Sequence, residues 1–200
     1  MTHSILIVDD NPAIVELYQI MLEMEGYRVQ GVFSGSECLT AITHNKPDLI
    51  LLDIMMKPMD GWSTLERIRE DPENNRIRVI MLTAKQPTPE EAERYTPLID
   101  GYIMKPVDHK QLTGRVRQSF ETDETVHAKA KHACDSGIPR TFVEEYCHLT
   151  RVVKAQEAFC SLLEPIYGSE GVCITSPEAA RLKVLEEILK QSVELQPSAE

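Results

Sequence analysis

Residues 1 to 120 predict a doubly wound parallel α/β fold, with a separate α-helical segment after it, and three observations carry that expectation. Five short apolar runs recur, at Ser4 to Val8, Tyr27 to Phe33, Leu49 to Leu52, Val79 to Leu82 and Gly101 to Met104. Between them lie amphipathic stretches of helical length, the alternation of strands and crossover helices found in a parallel sheet. Near residue 122 the alternation stops, and the remainder reads as helices alone.

Each element has its own signal. The first strand ends at Asp9-Asp10, and Asn11 before Pro12 is an N-cap followed by proline at the first helical position. In that helix Ile14, Leu17, Tyr18, Met21 and Leu22 repeat at three and four, an apolar stripe to lay on the sheet, and Gly26 ends it. Ser34 opens the second helix and Gly61 the third. The fourth is short and bracketed by prolines, from Pro87-Thr88-Pro89 to Pro97. A fifth begins after Asp108 with Leu112, Val116 and Phe120 on its apolar side, then runs into ETDETVHAKAKHACDSG, where periodicity fades. The domains expected are therefore 1–122 and 123–200.

In the second of these, Thr141 to Tyr167 is strongly helical. Phe142, Tyr146, Leu149, Val153, Cys160, Leu163 and Tyr167 fall near a heptad rhythm, with Val152, Phe159, Leu162 and Ile166 beside them. A last helix starts at TSPEA, with Ser176 as cap and Pro177 at its first position, and carries Leu182, Leu185, Ile188, Leu189 and Val193. The tail QPSAE is expected to fray. A two-helix hairpin cannot bury both stripes, so they are expected to need a partner, a second copy or the first domain's surface as cover.

Composition removes several classes of function. A net charge of -11 argues against a general polyanion binder, since such binding draws on clustered Lys and Arg. No apolar run approaches the roughly 18 residues of a membrane span, and the start MTHSILIVDD enters a strand pattern directly, so a cytoplasmic protein without membrane partners is expected. Five cysteines, an odd number without close pairing, fit a reducing compartment.

The chemistry lies at the strand ends. In a doubly wound sheet, ligands gather outside the carboxyl ends of the strands where strand order reverses. Asp9 and Asp10 close the first strand, Asp53 the third, Thr83 the fourth, and Lys105 followed by Pro106 the fifth. Three carboxylates in one crevice repel one another unless a divalent cation neutralises them, and hard oxygen ligands suit Mg²⁺. A hydroxyl and an ammonium opposite would hold an oxyanion, so the set describes a phosphoryl-transfer site. Singly, an Asp-Asp pair is most often a cap with a solvated charge, and a Lys-Pro pair a turn. The five together decide the reading.

That set, with DIMMKPMDG after the acceptor, resembles the receiver domain of two-component response regulators over residues 3 to 121. The resemblance implies a flavodoxin-like, CheY-like sheet of order 2-1-3-4-5. It implies that Asp53 is a phosphoacceptor served by a sensor histidine kinase, and that the chain is not an enzyme toward a metabolite. Asp10, Asp53 and the backbone carbonyl of Met55 would hold Mg²⁺, with Asp9 assisting through water. Thr83, Ala84 and Lys105 would bind the phosphoryl oxygens, and the Lys105-Pro106 peptide would be cis. Thr83 and Tyr102 would form the switch that remodels the face of the fourth helix, fifth strand and fifth helix; a half-buried strand tyrosine without that role is the plainer alternative.

Three departures from the family pattern stand out. The proline usual four residues after the acceptor is Lys57 here, with Pro58 one place on, so a different turn is expected. Leu98-Ile99 replaces a common Gly-Ala pair, which is expected to add apolar surface and a contact beside the output face, the alternative being that both fill the core. Met55 and Lys85 occupy positions that modulate hydrolysis, and an apolar Met55 cannot orient water, so a long-lived phosphoryl group is expected.

For residues 123–200 no family resemblance presents itself. Residues 121–200 carry eight Lys or Arg against fourteen Asp or Glu, a net of -6, without a basic recognition-helix arrangement, so nucleic acid is not the expected partner. A helical interaction module, contacting a downstream protein or forming a homodimer, is the favoured expectation. A transcription regulator with an unfamiliar DNA-binding output is the alternative of another class. A metal or redox site from His127, His132, Cys134, Cys147, His148, Cys160 and Cys173 is the third, set against a cysteine spacing of thirteen that puts successive thiols on different helix faces.

Overall fold

A computed structural model describes residues 2–167 and 177–194. The chain divides into two compact units, Met1–Val116 and Arg117–Glu200.

The first unit is a five-stranded parallel sheet of order β2-β1-β3-β4-β5, with β1 Ser4–Val8, β2 Arg28–Val32, β3 Leu49–Asp53, β4 Arg78–Thr83 and β5 Gly101–Met104. Its crossover helices are α1 Pro12–Met24, α2 Gly35–His44, α3 Gly61–Glu70 and α4 Pro89–Tyr95, and α5 His109–Asp135 follows β5. The predicted doubly wound architecture is the one observed. β1 and β3 are covered on both faces: Ile5 to Val8 and Leu49 to Leu52 are all at most 2% exposed, which is why these strands read as unbroken apolar runs.

The helix starts follow local chemistry. The Asn11 side chain accepts from the Ala13 amide, Ser34 from Glu37 and Asp60 from Ser63. Thr88 and Glu91 close a reciprocal capping box on α4, which needs it because seven residues are too few to hold a helix unaided. Gly26, at φ 87°, lets the chain leave α1, with the Tyr27 amide bonding back to the Leu22 carbonyl.

Several expectations are corrected. On α1 the buried positions are Val15, Tyr18 and Leu22, while Leu17 is 44% exposed, so the inward stripe is rotated from the predicted one. Five apolar residues in two turns left more than one stripe available, and the sheet selected the one containing Val15. β2 stops at Val32 and Phe33 is exposed. Ile99 is buried and Leu98 half-buried, with the Leu98 carbonyl accepting from Arg69 Nε at 3.0 Å, so the pair fills space rather than leaving apolar surface for a contact.

The second unit contains the C-terminal part of α5, α6 Arg140–Tyr167 and α7 Pro177–Glu194. The polar stretch after Phe120 continues as helix to Asp135. Val126, Ala130 and Ala133 on it are buried, the first packing with Tyr146, Leu149, Leu182 and Leu185, the others with Val143. A third helix therefore covers the two stripes, correcting the expectation that cover must come from outside this segment. Small apolar residues at i, i+4 and i+7 were the available signal, masked by the charges around them. Phe142 and Ile188 are exposed, and Val143 takes the inner place predicted for Phe142. An exposed ion pair, Arg181 to Glu145 at 2.7 Å, joins α6 to α7. Ser176, Cys173 and the QPSAE tail lie outside the described residues, as do the side chains of His127, Leu162, Ile166, Tyr167 and Val193.

No helix among the described residues is long and apolar enough to cross a membrane.

Candidate functional site

Strand order places the site. Because β1 lies between β2 and β3, strand order reverses there, and β1 and β3 present their carboxyl ends side by side, with Val8 opposite Leu52. Asp9 and Asp10 follow β1, Asp53 ends β3, Thr83 ends β4 and Lys105 follows β5, so all five residues stand at one edge. One ligand oxygen from each of Asp9, Asp10 and Asp53 lies within 4.8 Å of the others, and among the described residues this is the only such group of three or more His, Cys, Asp or Glu. The cysteine and histidine cluster considered for the second unit does not converge among the described residues.

Lys105 holds the carboxylates together. Its Nζ donates to Asp9 Oδ2 at 2.5 Å and to Asp53 Oδ1 at 2.6 Å. The remaining oxygens are also used: Asp53 Oδ2 accepts from the Met55 amide at 3.1 Å and Asp9 Oδ1 from the Asn11 amide at 2.9 Å. Asp53 is 4% exposed and Asp9 2%, whereas Asp10 faces solvent. Burial raises the Asp53 pKa above the usual carboxylate range; Lys105 opposes this, and the charges of Asp9 and Asp10 add to it. For Lys105, burial pulls the other way, but its hydrogen bonds to Asp53 and Asp9 prevail and keep the ammonium charged. One cation thus faces three acids, a deficit that a hard divalent cation fits through oxygen ligands alone.

The far wall is built from β4 and β5. Thr83 is fully buried and its hydroxyl accepts from the Lys85 amide at 3.0 Å. Tyr102 is 3% exposed and donates to the Lys85 carbonyl at 3.4 Å, so its ring points inward beside the same loop. Its phenol is raised by burial and by the nearby Glu91 charge. Ala84 is exposed next to Thr83, and Lys85 Nζ turns to Glu91 at 3.1 Å. Met55, whose amide bonds Asp53, is 59% exposed. The Lys105-Pro106 and Lys57-Pro58 peptides are both cis. Sequence reasoning placed Tyr18 in the core but not at the site; it is buried and within electrostatic reach of Lys105, Asp9 and Asp53. Nothing in a helical apolar stripe distinguishes such a position.

Two expected results follow from this geometry. A Cβ on Gly61 would stand 2.2 Å from the Asp53 carbonyl oxygen and 2.8 Å from Ile54 Cα, backbone that has no flexible end to yield. Gly61→Ala should therefore cost about 1–3 kcal/mol, as overpacking does, by displacing the Asp53 backbone, measured by urea unfolding. The second concerns pH. Since the folded fold holds the Asp53 proton more tightly than the unfolded chain, its stabilising contribution is full below the unfolded carboxylate pKa and is lost as pH rises through the raised folded value. Asp53→Asn escapes that loss. In EDTA it should melt above the parent at neutral pH, with the gap closing as pH falls through the carboxylate range; each kcal/mol recovered moves the midpoint by about 2–4 °C.

Comparison with known proteins agrees with this arrangement. The chain is 36% identical over 129 residues to the DNA-binding dual master transcriptional regulator RpaA of Synechocystis, covering 64% of this chain and 54% of RpaA. It is 36% identical over 124 residues to the DNA-binding response regulator MtrA of Mycolicibacterium smegmatis, covering 62% and 53%. The chain thus spans about half the length of these curated relatives. Among solved structures, the N-terminal domain of a response regulator receiver protein from Methanoculleus marisnigri is 53% identical with a TM-score of 0.51, covering 59% of this chain and 96% of that one. Residues 5–117 match the response regulator receiver domain, and the chain belongs to that family.

Proposed function

We propose that this chain is a two-component response regulator in which Asp53 accepts a phosphoryl group from a phosphohistidine on a sensor kinase. The observation that carries this reading is the buried Asp53 carboxylate held 2.6 Å from Lys105 Nζ, within one cluster with Asp9 and Asp10. An Asp53 oxygen attacks phosphorus, the phosphorus–nitrogen bond breaks, and the departing imidazole keeps the electron pair and takes a proton. Lys105 and Thr83, with Ala84 between the strand end and the loop, receive the phosphoryl oxygens, and Lys105 exchanges part of its hold on the carboxylates for the new dianion. Asp10, Asp53 and the Met55 carbonyl, supported by Asp9, would hold Mg²⁺, which supplies neutralising charge when bound. The chain then acts in the cytoplasm as a switch and not as an enzyme on a metabolite. Thr83 and Tyr102 pass the state of Asp53 to the face of α4, β5 and α5, and the output is a protein contact made by that face and the C-terminal helices, to a downstream target or a second copy.

Intact mass after incubation with acetyl phosphate tests the reading: one phosphoryl group is expected with Mg²⁺, and its absence, or its equal formation when EDTA is present from the start, contradicts it. The Met55 side chain has no hydrogen-bond donor to orient an attacking water, so a slow hydrolysis is expected. Met55→Asn should shorten the half-life about fivefold, because a hydrogen bond of about 1 kcal/mol is worth about that factor in rate.

A second reading is favoured by the relatives RpaA and MtrA, which are described as DNA-binding. Under it the second unit contacts DNA. Its acidic composition, eight Lys or Arg against fourteen Asp or Glu over residues 121–200, opposes this, and mobility shifts on genomic fragments with and without acetyl phosphate decide between them.

A further inference from the structure

Trp62 is the only tryptophan in the chain. It stands at the second position of α3, directly after Gly61, whose backbone lies against the Asp53 carbonyl. Its indole stacks on Tyr95, the last residue of α4, with ring centroids 4.1 Å apart and planes 6° from parallel. One turn along α3, Glu66 pairs with Arg94 at 2.6 Å, and the Arg94 guanidinium sits 5.1 Å from the Tyr95 ring centre. Two adjacent residues of α4 are thus gripped by two residues of α3 spaced i and i+4. Trp62 is 7% exposed and Tyr95 8%.

The grip is tight in packing but incomplete in hydrogen bonding. Among the described residues, Trp62 Nε1 is buried with no hydrogen-bond partner. A buried donor left unpaired disfavours the arrangement that strands it. α4 is also held at its other end by the site itself: Lys85 bonds Glu91, and the Lys85 carbonyl accepts from Tyr102. Contacts therefore lead toward α4 from two directions, through the loop after Thr83 and through the Gly61-Trp62 step.

We propose that the Trp62–Tyr95 stack is a latch between α3 and α4 that is remade when Asp53 is modified, a second route to α4 beside Thr83 and Tyr102. It rests on the reading of Asp53 as phosphoacceptor.

The test uses the full chain, Mg²⁺ and beryllofluoride, with binding followed by thermal shift and the latch by Trp62 emission. Wild type is expected to show both a raised midpoint and a changed emission, saturating at the same beryllofluoride concentration. Tyr95→Leu should keep the thermal shift and lose the emission change, and Tyr95→Phe, which retains the stack, should keep both. If Tyr95→Leu does not fold, the exposed Arg94→Ala serves, with a reduced emission change expected. A thermal shift with unaltered Trp62 emission in wild type overturns the latch, as does an emission change that survives intact in Tyr95→Leu or Arg94→Ala. Absence of any thermal shift overturns the phosphoacceptor reading instead and removes the latch with it.

Discussion

Lys105→Ala should destabilise the first unit by about 3–5 kcal/mol when divalent metal is chelated, the range for removing one partner of a buried ion pair. The Lys105 ammonium is the bond between Asp9 and Asp53, at 2.5 and 2.6 Å, and its side chain is 16% exposed. Without it two carboxylates stay buried with only backbone amides to solvate them. Mg²⁺ should restore more stability to the variant than to the parent, because carboxylates without the ammonium bind the cation more tightly, and a ligand of the folded state stabilises it more as its affinity rises. Adding Asp53→Asn should recover part of the loss by removing one of the stranded charges. Phosphoryl uptake should fall by ~100-fold, the scale for losing a donor to a developing oxyanion. Chemical denaturation in EDTA and in Mg²⁺, with labelling rates, measures all four; a loss below 1 kcal/mol would mean Lys105 does not hold the cluster.

Arg69→Met should cost about as much, ~3–5 kcal/mol, at the opposite edge of the sheet. Arg69 donates from Nε to the Leu98 carbonyl and from Nη1 to the Asn74 and Ile77 carbonyls, each at 3.0 Å, and lies 3.8 Å from Asp100. Asp100 in turn accepts from the Val79 amide at 2.9 Å. One guanidinium therefore ties α3, the turn at Pro72–Asn74, β4 and the approach to β5, and both side chains are only 12% exposed. Methionine keeps the volume and loses every donor, leaving acceptors buried without their partner. The urea midpoint should drop without a change in slope, and phosphorylation of the surviving folded fraction should be unaffected, which separates this variant from Lys105→Ala.

The sheet and site were legible because two strong patterns coincide in the sequence. Strands buried on both faces read as apolar runs, and each ends on a residue that burial would otherwise exclude; Asp53 after Leu49 to Leu52 is the clearest case. What escaped notice depends on neighbours distant in sequence. Arg69 is one charge among several on α3, and only the fold brings Leu98 and Ile77 to it. Trp62 and Tyr95 are 33 residues apart, with no pattern joining them. On α1, the choice between Leu17 and Val15 for the inner face was settled by the sheet, since helical spacing allowed both. The third helix of the second unit was hidden because its buried side chains are Val126, Ala130 and Ala133, too small to stand out among charges.

Borohydride reduction of the phosphorylated chain tests the central claim most directly, because it converts an aspartyl phosphate to homoserine at the residue that carried it. Peptide mapping should find homoserine at position 53 and nowhere else, and none in Asp53→Asn. Homoserine at another aspartate, or equal labelling of the parent and Asp53→Asn, would contradict the account.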